Sequence, residues 1–199
     1  MLAENVIHGD VASANKWKIK ADPVDDSGAT IYKSFTSVIG NMKNGATVDL
    51  DITLSDVQVE VSGGDNAGLA CGTMDENTSL AVNLSSSSLD VSGKSNAGVF
   101  VGKMSADATL SIDKCDTLTS VNISANNAGG LVGSAENAEI NVGEGVTLTM
   151  TGSVTGSVTA GGLFGSYTYS KANEKTFDIS KFSGMEMALA CSSGDTADS

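Results

Sequence analysis

Arginine is absent from the 199 residues, histidine occurs once as His8, and proline occurs once as Pro23. Each absence removes a class of chemistry. Without arginine the chain lacks the planar donor fork that grips carboxylates and phosphates in pairs. With eleven lysines against 24 acidic residues, a net charge of −13 and a pI of about 4.2, it has no basic footprint for nucleic acid. The acidity suits solubility and self-repulsion. A Ser–His–Asp or Cys–His site would have to be assembled around His8, in an N-terminal stretch without regular patterning. A histidine-based metal centre meets the same objection, and no cofactor is implied.

Three cysteines, Cys71, Cys115 and Cys191, are too few and too widely spaced for a disulfide framework or a zinc motif, and they read as buried free thiols. Aromatic residues make up only 5%, so any core is thin and filled by Val, Leu, Ile, Ala and Gly. No apolar run approaches the length of a membrane-crossing helix, so membrane insertion is not expected. The start, Met-Leu-Ala-Glu-Asn, lacks the basic and apolar regions of a secretory signal. The chain is then either not exported by that route or a piece of a longer exported protein, and its ending soon after a repeat-like strand favours a piece.

What is present is a repeat. Asn66-Ala67-Gly68-Leu69-Ala70-Cys71-Gly72 recurs as Asn96-Ala97-Gly98-Val99-Phe100-Val101-Gly102, as Asn127-Ala128-Gly129-Gly130-Leu131-Val132-Gly133 and as Thr159-Ala160-Gly161-Gly162-Leu163-Phe164-Gly165. The alanines at 67, 97, 128 and 160 are separated by 30, 31 and 32 residues. A fixed period of this size marks a stacked architecture. Phe35-Thr36-Ser37-Val38-Ile39-Gly40 ends on the glycine that opens the series Gly72, Gly102, Gly133 and Gly165.

Aligning on these glycines exposes two more apolar columns. Val48, Leu50 and Ile52 recur as Leu80, Val82 and Leu84, then Leu110 and Ile112, Ile140 and Val142, and Phe177 and Ile179. Val57, Val59 and Val61 recur as Leu89 and Val91, then Leu118, Val121 and Ile123, then Val146, Leu148 and Met150, and last Met185, Met187 and Leu189. Alternation with polar residues is the period of a strand with one buried face. Joints such as Lys43-Asn44-Gly45 and Ser62-Gly63-Gly64-Asp65 have turn composition.

The expected fold is therefore all-β: a right-handed parallel β-helix, or β-solenoid, of about five rungs of roughly 30 residues with three strands each. A sandwich or barrel also has short, evenly spaced strands, but nothing in it makes like columns recur every third strand. Residues 34–192 form the solenoid, 193–199 a polar tail, and 1–33 either a cap over the open end or a distorted earlier coil. Within 1–33, Lys16-Trp17-Lys18-Ile19-Lys20 alternates as a strand, Asp22-Pro23-Val24-Asp25-Asp26-Ser27-Gly28 reads as a turn, and Ile31-Tyr32 begins another short strand.

The motif reads as one of the three strands. Its glycines suit a tight bend or a close backbone approach. Asn66, Asn96 and Asn127 suit a ladder at the bend, since asparagine tolerates left-handed backbone and hydrogen-bonds its own kind stacked above and below. Two adjacent columns, Ala70/Phe100/Leu131/Leu163 and Cys71/Val101/Val132/Phe164, are both apolar. Either a bend turns both inward, or Phe100, Leu131 and Leu163 form an exposed line, a candidate interaction surface.

Gly130-Leu131-Val132-Gly133 and Gly162-Leu163-Phe164-Gly165 resemble the GLUG motif, with the copies at Gly68–Gly72 and Gly98–Gly102 matching in part. The resemblance covers about residues 35–192. It implies a β-helix segment of a large secreted or wall-attached bacterial protein, such as an adhesin or an immunoglobulin A-directed peptidase, in which these repeats are not the catalytic part. The structural residues it marks here are Asn66, Gly72, Asn96, Gly102, Asn127, Gly130, Gly133, Gly162 and Gly165.

Three further chemistries bear on the sequence. Asp49, Asp51, Asp90, Asp113 and Asp178 lie beside inward apolar residues, so they are candidates for an outer acidic face that hydrolyses glycosides, or for a solvated face. Asp75-Glu76-Asn77 and Gly63-Gly64-Asp65-Asn66 are acidic turns but match neither calcium-loop pattern. The Gly-rich motifs lack the Lys-Ser/Thr of a phosphate loop. The expected function is a non-enzymatic spacer or adhesion module at the bacterial surface or outside the cell, binding a host protein or a glycan. The alternatives are a carbohydrate-active β-helix enzyme and an immunoglobulin-binding module.

Overall fold

The computed structural model describes residues 16–20, 35–53, 58–85, 88–115, 117–169 and 179–193. Sixteen strands appear there: β1 Lys16–Lys20, β2 Phe35–Thr36, β3 Ile39–Met42, β4 Thr47–Thr53, β5 Gln58–Gly68, β6 Cys71–Met74, β7 Ser79–Ser85, β8 Ser88–Gly98, β9 Val101–Met104, β10 Thr109–Cys115, β11 Leu118–Gly129, β12 Val132–Glu136, β13 Glu139–Val142, β14 Leu148–Gly161, β15 Phe164–Thr168 and β16 Met185–Ser193. Every strand pair is parallel, and from β2 to β15 each strand pairs with the counterpart about 30 residues away. The chain is a parallel β-solenoid. Its long wall has the order β1-β5-β8-β11-β14-β16, with β2 also on β5; its second wall is β15-β12-β9-β6-β3 and its third β13-β10-β7-β4.

Four rungs are complete, each with one strand in every wall, the first being β3–β4–β5 and the last β12–β13–β14. The fifth has β15 and β16, but its third-wall position departs from expectation. Phe177 lies outside the described residues, and Ile179 opens a 3-10 helix, Ile179–Phe182, rather than a strand. That turn buries Phe182 at the core edge and sets Lys181 Nζ 2.7 Å from both Glu139 Oε1 and Asn141 Oδ1. The polar tail and the segments around Pro23 and Tyr32 also fall outside the described residues. β1 does not stand apart from the repeat. Lys16–Lys20 lies in parallel register on Gln58–Ser62, and β2 continues onto Asn66 and Ala67, so together they occupy the long-wall position of an earlier coil.

The core is one line of stacked columns, which is why so few aromatics suffice. Val48, Leu80, Leu110 and Ile140 stack in the third wall; Val61, Val91, Ile123 and Val154 stack in the long wall; Met42, Met74 and Met104 stack in the second. From the second rung to the fourth these columns are almost wholly buried. Like residues meet like about every 4.8 Å, so the shape that fits one rung fits the next.

The Asn-Ala-Gly motif is not a single strand. Asn66-Ala67-Gly68 ends β5 in the long wall, Leu69 and Ala70 form a bend, and Cys71-Gly72 opens β6 in the second wall. The same division holds in later rungs, with bends at Val99–Phe100, Gly130–Leu131 and Gly162–Leu163. The motif is thus a corner. Conversely, the Gly63-Gly64 joint does not end a strand; β5 runs through it with a shift of register.

The corner columns of the solenoid

The corner keeps rung-to-rung hydrogen bonding through the bend. The Phe100 carbonyl accepts from both Ala70 N (3.1 Å) and Cys71 N (3.0 Å), and the Leu163 carbonyl from both Leu131 N (2.9 Å) and Val132 N (3.1 Å). Two donors on one acceptor is the pattern of a β-bulge, which kinks the chain and spoils strict in–out alternation. Adjacent residues therefore turn to the same side. Ala70, Cys71, Phe100, Val101, Leu131 and Val132 are all buried. The exposed line allowed by the sequence does not exist at Phe100 and Leu131, which are fully buried; Leu163 is half-buried only because it lies in the last rung.

The motif glycines are where the walls touch. A Cβ on Gly98 would stand 2.6 Å from the Val101 and Leu131 carbonyl oxygens. On Gly102 it would stand 2.6 Å from Ala67 N, and on Gly165 2.6 Å from Ala128 N and the Gly133 oxygen. These contacts are to backbone, which cannot swing away. The corner is closed by main chain packed on main chain.

The asparagines lie within extended strand, and none has positive φ. They do not supply left-handed backbone, but the ladder that the sequence suggested is present. Their amides form a directional chain. Thr159 Oγ1 donates to Asn127 Oδ1 (2.9 Å), Asn127 Nδ2 to Asn96 Oδ1 (2.9 Å), Asn96 Nδ2 to Asn66 Oδ1 (2.6 Å), and Asn66 Nδ2 to Thr73 Oγ1 (3.1 Å). Threonine at one end supplies the single donor that the end requires. Asn96→Ala is expected to cost about 1–3 kcal/mol, because a partly buried acceptor on Asn66 and a donor on Asn127 both lose their partner. Urea denaturation checks this; an unchanged midpoint would mean the chain of amides adds nothing.

Two left-handed positions lie in turns named from the sequence, Lys43-Asn44-Gly45 and Asp75-Glu76-Asn77, but the column that they belong to was not foreseen. Gly45, Asn77, Asp107 and Asn137 have φ of 78°, 55°, 58° and 44°. They form a column at the corner between the second and third walls, where Asn77 N donates to Ala106 O and Asn137 N to Thr168 O. The signal was available: each follows its motif glycine, Gly40, Gly72, Gly102 or Gly133, by four or five residues, and each is a type that tolerates left-handed backbone. Asn77, considered for calcium as part of an acidic turn, has this backbone role. Its neighbour Asp75 pairs with Lys43 at 3.2 Å. Among the described residues no three His, Cys, Asp or Glu side chains are grouped to hold a metal ion.

The described acidic candidates do not all share a face: Asp90 stands apart from Asp49, Asp51 and Asp113. Asp49 and Asp51 project from β4, and Asp113 from β10 two strands away, all exposed on the third wall. Asp90 lies on the long wall, where its carboxylate accepts from Gln58 Nε2 (2.8 Å) and Asn122 Nδ2 (2.7 Å). Asn122 Oδ1 in turn accepts from Ser153 Oγ (3.0 Å). The outer surface of the long wall thus repeats the inner one in polar form. Asp178 and His8 lie outside the described residues.

The cysteines differ from one another. Cys71 and Cys115 are buried, but Cys191 is exposed, which corrects the expectation of three buried thiols. Cys191 continues the inward column of Val154, and it is open because no described strand stacks on β16. Burial pushes the Cys71 thiol up to about 12, although Cys71 Sγ also lies 3.1 Å from the Thr73 carbonyl. Since the folded protein holds this proton after the unfolded chain has lost it, stability is unaffected below the ordinary thiol range and falls as pH rises through it towards 12. Thiol titration is expected to label Cys191 rapidly and Cys71 and Cys115 only on unfolding; rapid native labelling of Cys71 would contradict its burial.

Set against known proteins, the chain matches no protein family, no curated protein and no solved structure. No helix among the described residues is long and apolar enough to cross a membrane.

Proposed function

We propose that this chain is a non-enzymatic structural or adhesion module of a bacterial cell-surface or secreted protein, holding or presenting a surface for a host protein or a glycan. The observation that carries this reading is the use made of the outward polar side chains. Gln58, Asp90, Asn122 and Ser153 are hydrogen-bonded to one another up the rod, and Ser157 Oγ likewise donates to Asn126 Oδ1 (2.6 Å). Side chains tied into ladders stiffen a surface and repeat it at the rung spacing. A catalytic centre needs the opposite, different groups converging on one reacting atom. The resemblance of Gly130–Gly133 and Gly162–Gly165 to the GLUG motif supports the same reading and supplies its bacterial, extracellular setting.

A glycan array together with a pull-down from host proteins, immunoglobulins included, tests the proposal. Retention of a glycan or a host protein supports adhesion; retention only when flanking sequence is attached supports a spacer. Incubation with a panel of polysaccharides is the counter-test. Cleavage abolished by Asp49→Asn or Asp51→Asn would replace this reading with that of a carbohydrate-active enzyme.

A further inference from the structure

The two ends of the long wall differ in a way that the repeat does not require. At one end β1 alternates Lys16, Lys18 and Lys20 with Trp17 and Ile19, and lysine along a sheet edge keeps other strands away. At the other end β16 reads Met-Glu-Met-Ala-Leu-Ala-Cys-Ser-Ser. In a chain of net charge −13, residues 187–193 carry no charge at all. β16 pairs with β14 on one side, and no described strand pairs with its other edge. Its inward residues Met185, Met187 and Leu189 are only half-buried, whereas their column neighbours Leu148 and Met150 are fully buried. Leu163 and Phe164, also half-buried, belong to the same last rung, and around Gly162 there is open space. A nine-residue edge with a single charge, Glu186, beside half-exposed core is a docking edge for another strand.

We propose that the strand it receives is β16 of a second copy, antiparallel, so that two rods join tail to tail about a two-fold axis. The sequence of β16 is complementary to its own reverse. Centred on Leu189, the register places Leu189 opposite Leu189, Met187 opposite Cys191, Met185 opposite Ser193, Ala188 opposite Ala190 and Glu186 opposite Ser192. All nine residues pair, inward side chains meet inward side chains, and the one charged residue of each strand faces a hydroxyl instead of its like. Head-to-tail stacking of β16 on the opposite end of another copy would not close. The self-complementary pairing closes at two copies. It goes beyond the proposed function and stands whether or not a ligand is found.

Analytical ultracentrifugation of the full chain over a wide concentration range tests it. The mass should rise to twice that of one chain and then level. Ala188→Lys with Ala190→Lys, at outward positions where lysine leaves the rod intact, should weaken association by about tenfold or more, because like charges then face each other across the pair. Register is read separately with copper-phenanthroline as oxidant. Met187→Cys should give a disulfide-linked dimer through the partner's Cys191, and Cys191→Ser in that background should abolish it, while the wild-type chain stays uncrosslinked. A single mass at every concentration, or a mass that keeps growing, would overturn the proposal. So would crosslinking of the wild type without crosslinking of the Met187→Cys variant, which demands another register. Circular dichroism of each variant confirms that the rod is folded.

Discussion

Gly133→Val is expected to abolish cooperative folding, and Gly133→Ala to cost more than about 4 kcal/mol, well outside the usual range for a single substitution. The reason is not backbone conformation, since Gly133 has no left-handed φ. It is the space its side chain would need. A Cβ there overlaps Ala97 N and stands 2.6 Å from the Gly102 oxygen and 2.9 Å from the Ala97 oxygen. All three are backbone atoms of the preceding corner, Asn96–Gly102, which no rotamer change can move. Relief requires prising the second wall from the long wall, and that breaks the rung-to-rung hydrogen bonds of the corner. For a domain of this size each kcal/mol moves Tm by about 2–4 °C, so Gly133→Ala should lower it by roughly 10 °C or more. Gly162→Ala is the matched control. It is another glycine of the same motif family, with nothing within 4 Å of the added carbon. It should change stability by no more than about 1 kcal/mol, in the stabilising direction if loss of unfolded-state freedom dominates. If both variants melt with the wild type, contact between the walls is not what the motif glycines provide.

This contrast shows how far the sequence alone could be read. The walls were legible because a strand buried on one face must alternate, and each rung had to present compatible residues to the next. Val48/Leu80/Leu110/Ile140 is therefore a column in sequence and in space. The corner was not legible in the same way. Asn66 to Gly72 is a run of small and apolar residues without alternation, and a run of that kind fits a buried strand or a bend equally. The doubled acceptors at Phe100, Leu131 and Leu163, and the division of the motif between two walls, show that it bends. Asparagine was legible only in part, for a related reason: the ladder is where the sequence put it and the left-handed backbone is not. It suits a left-handed turn and a stacked amide ladder, and this chain uses it for both at different corners: Asn77 and Asn137 in the turn, Asn66, Asn96 and Asn127 in the ladder. Composition cannot assign one residue type between two columns; its offset from the motif glycine can. The acidic residues were only partly legible as a face, because alternation reports in or out but not which wall: Asp49, Asp51 and Asp113 share the third wall and Asp90 does not. Asp90 and Asp113 are both outward, on different sheets.

Phe100→Ala is expected to cost about 3–5 kcal/mol, the range for emptying a buried aromatic site. Phe100 is the largest fully buried side chain of the described core, and it stands at the middle of the rod with rungs on both sides. Its neighbour in the preceding rung, Ala70, is small, and the next in the column is Leu131. The column accommodates one aromatic ring because an alanine sits beside it. Truncating Phe100 would put two alanines in succession, and the backbone ladders that fix the rung spacing prevent the walls from closing on the void. The converse substitution is informative for the same reason: Ala70→Leu crowds a site already filled by the ring and should cost about 1–3 kcal/mol. Phe164→Ala, half-buried in the last rung, should cost less than Phe100→Ala, since solvent already reaches that site. Urea midpoints at constant slope rank the three. Were Phe100→Ala to fall within about 0.5 kcal/mol of the wild type, as an exposed residue would, the bend would not be turning both apolar columns inward, and the outer line of Phe100, Leu131 and Leu163 would again be a surface to consider.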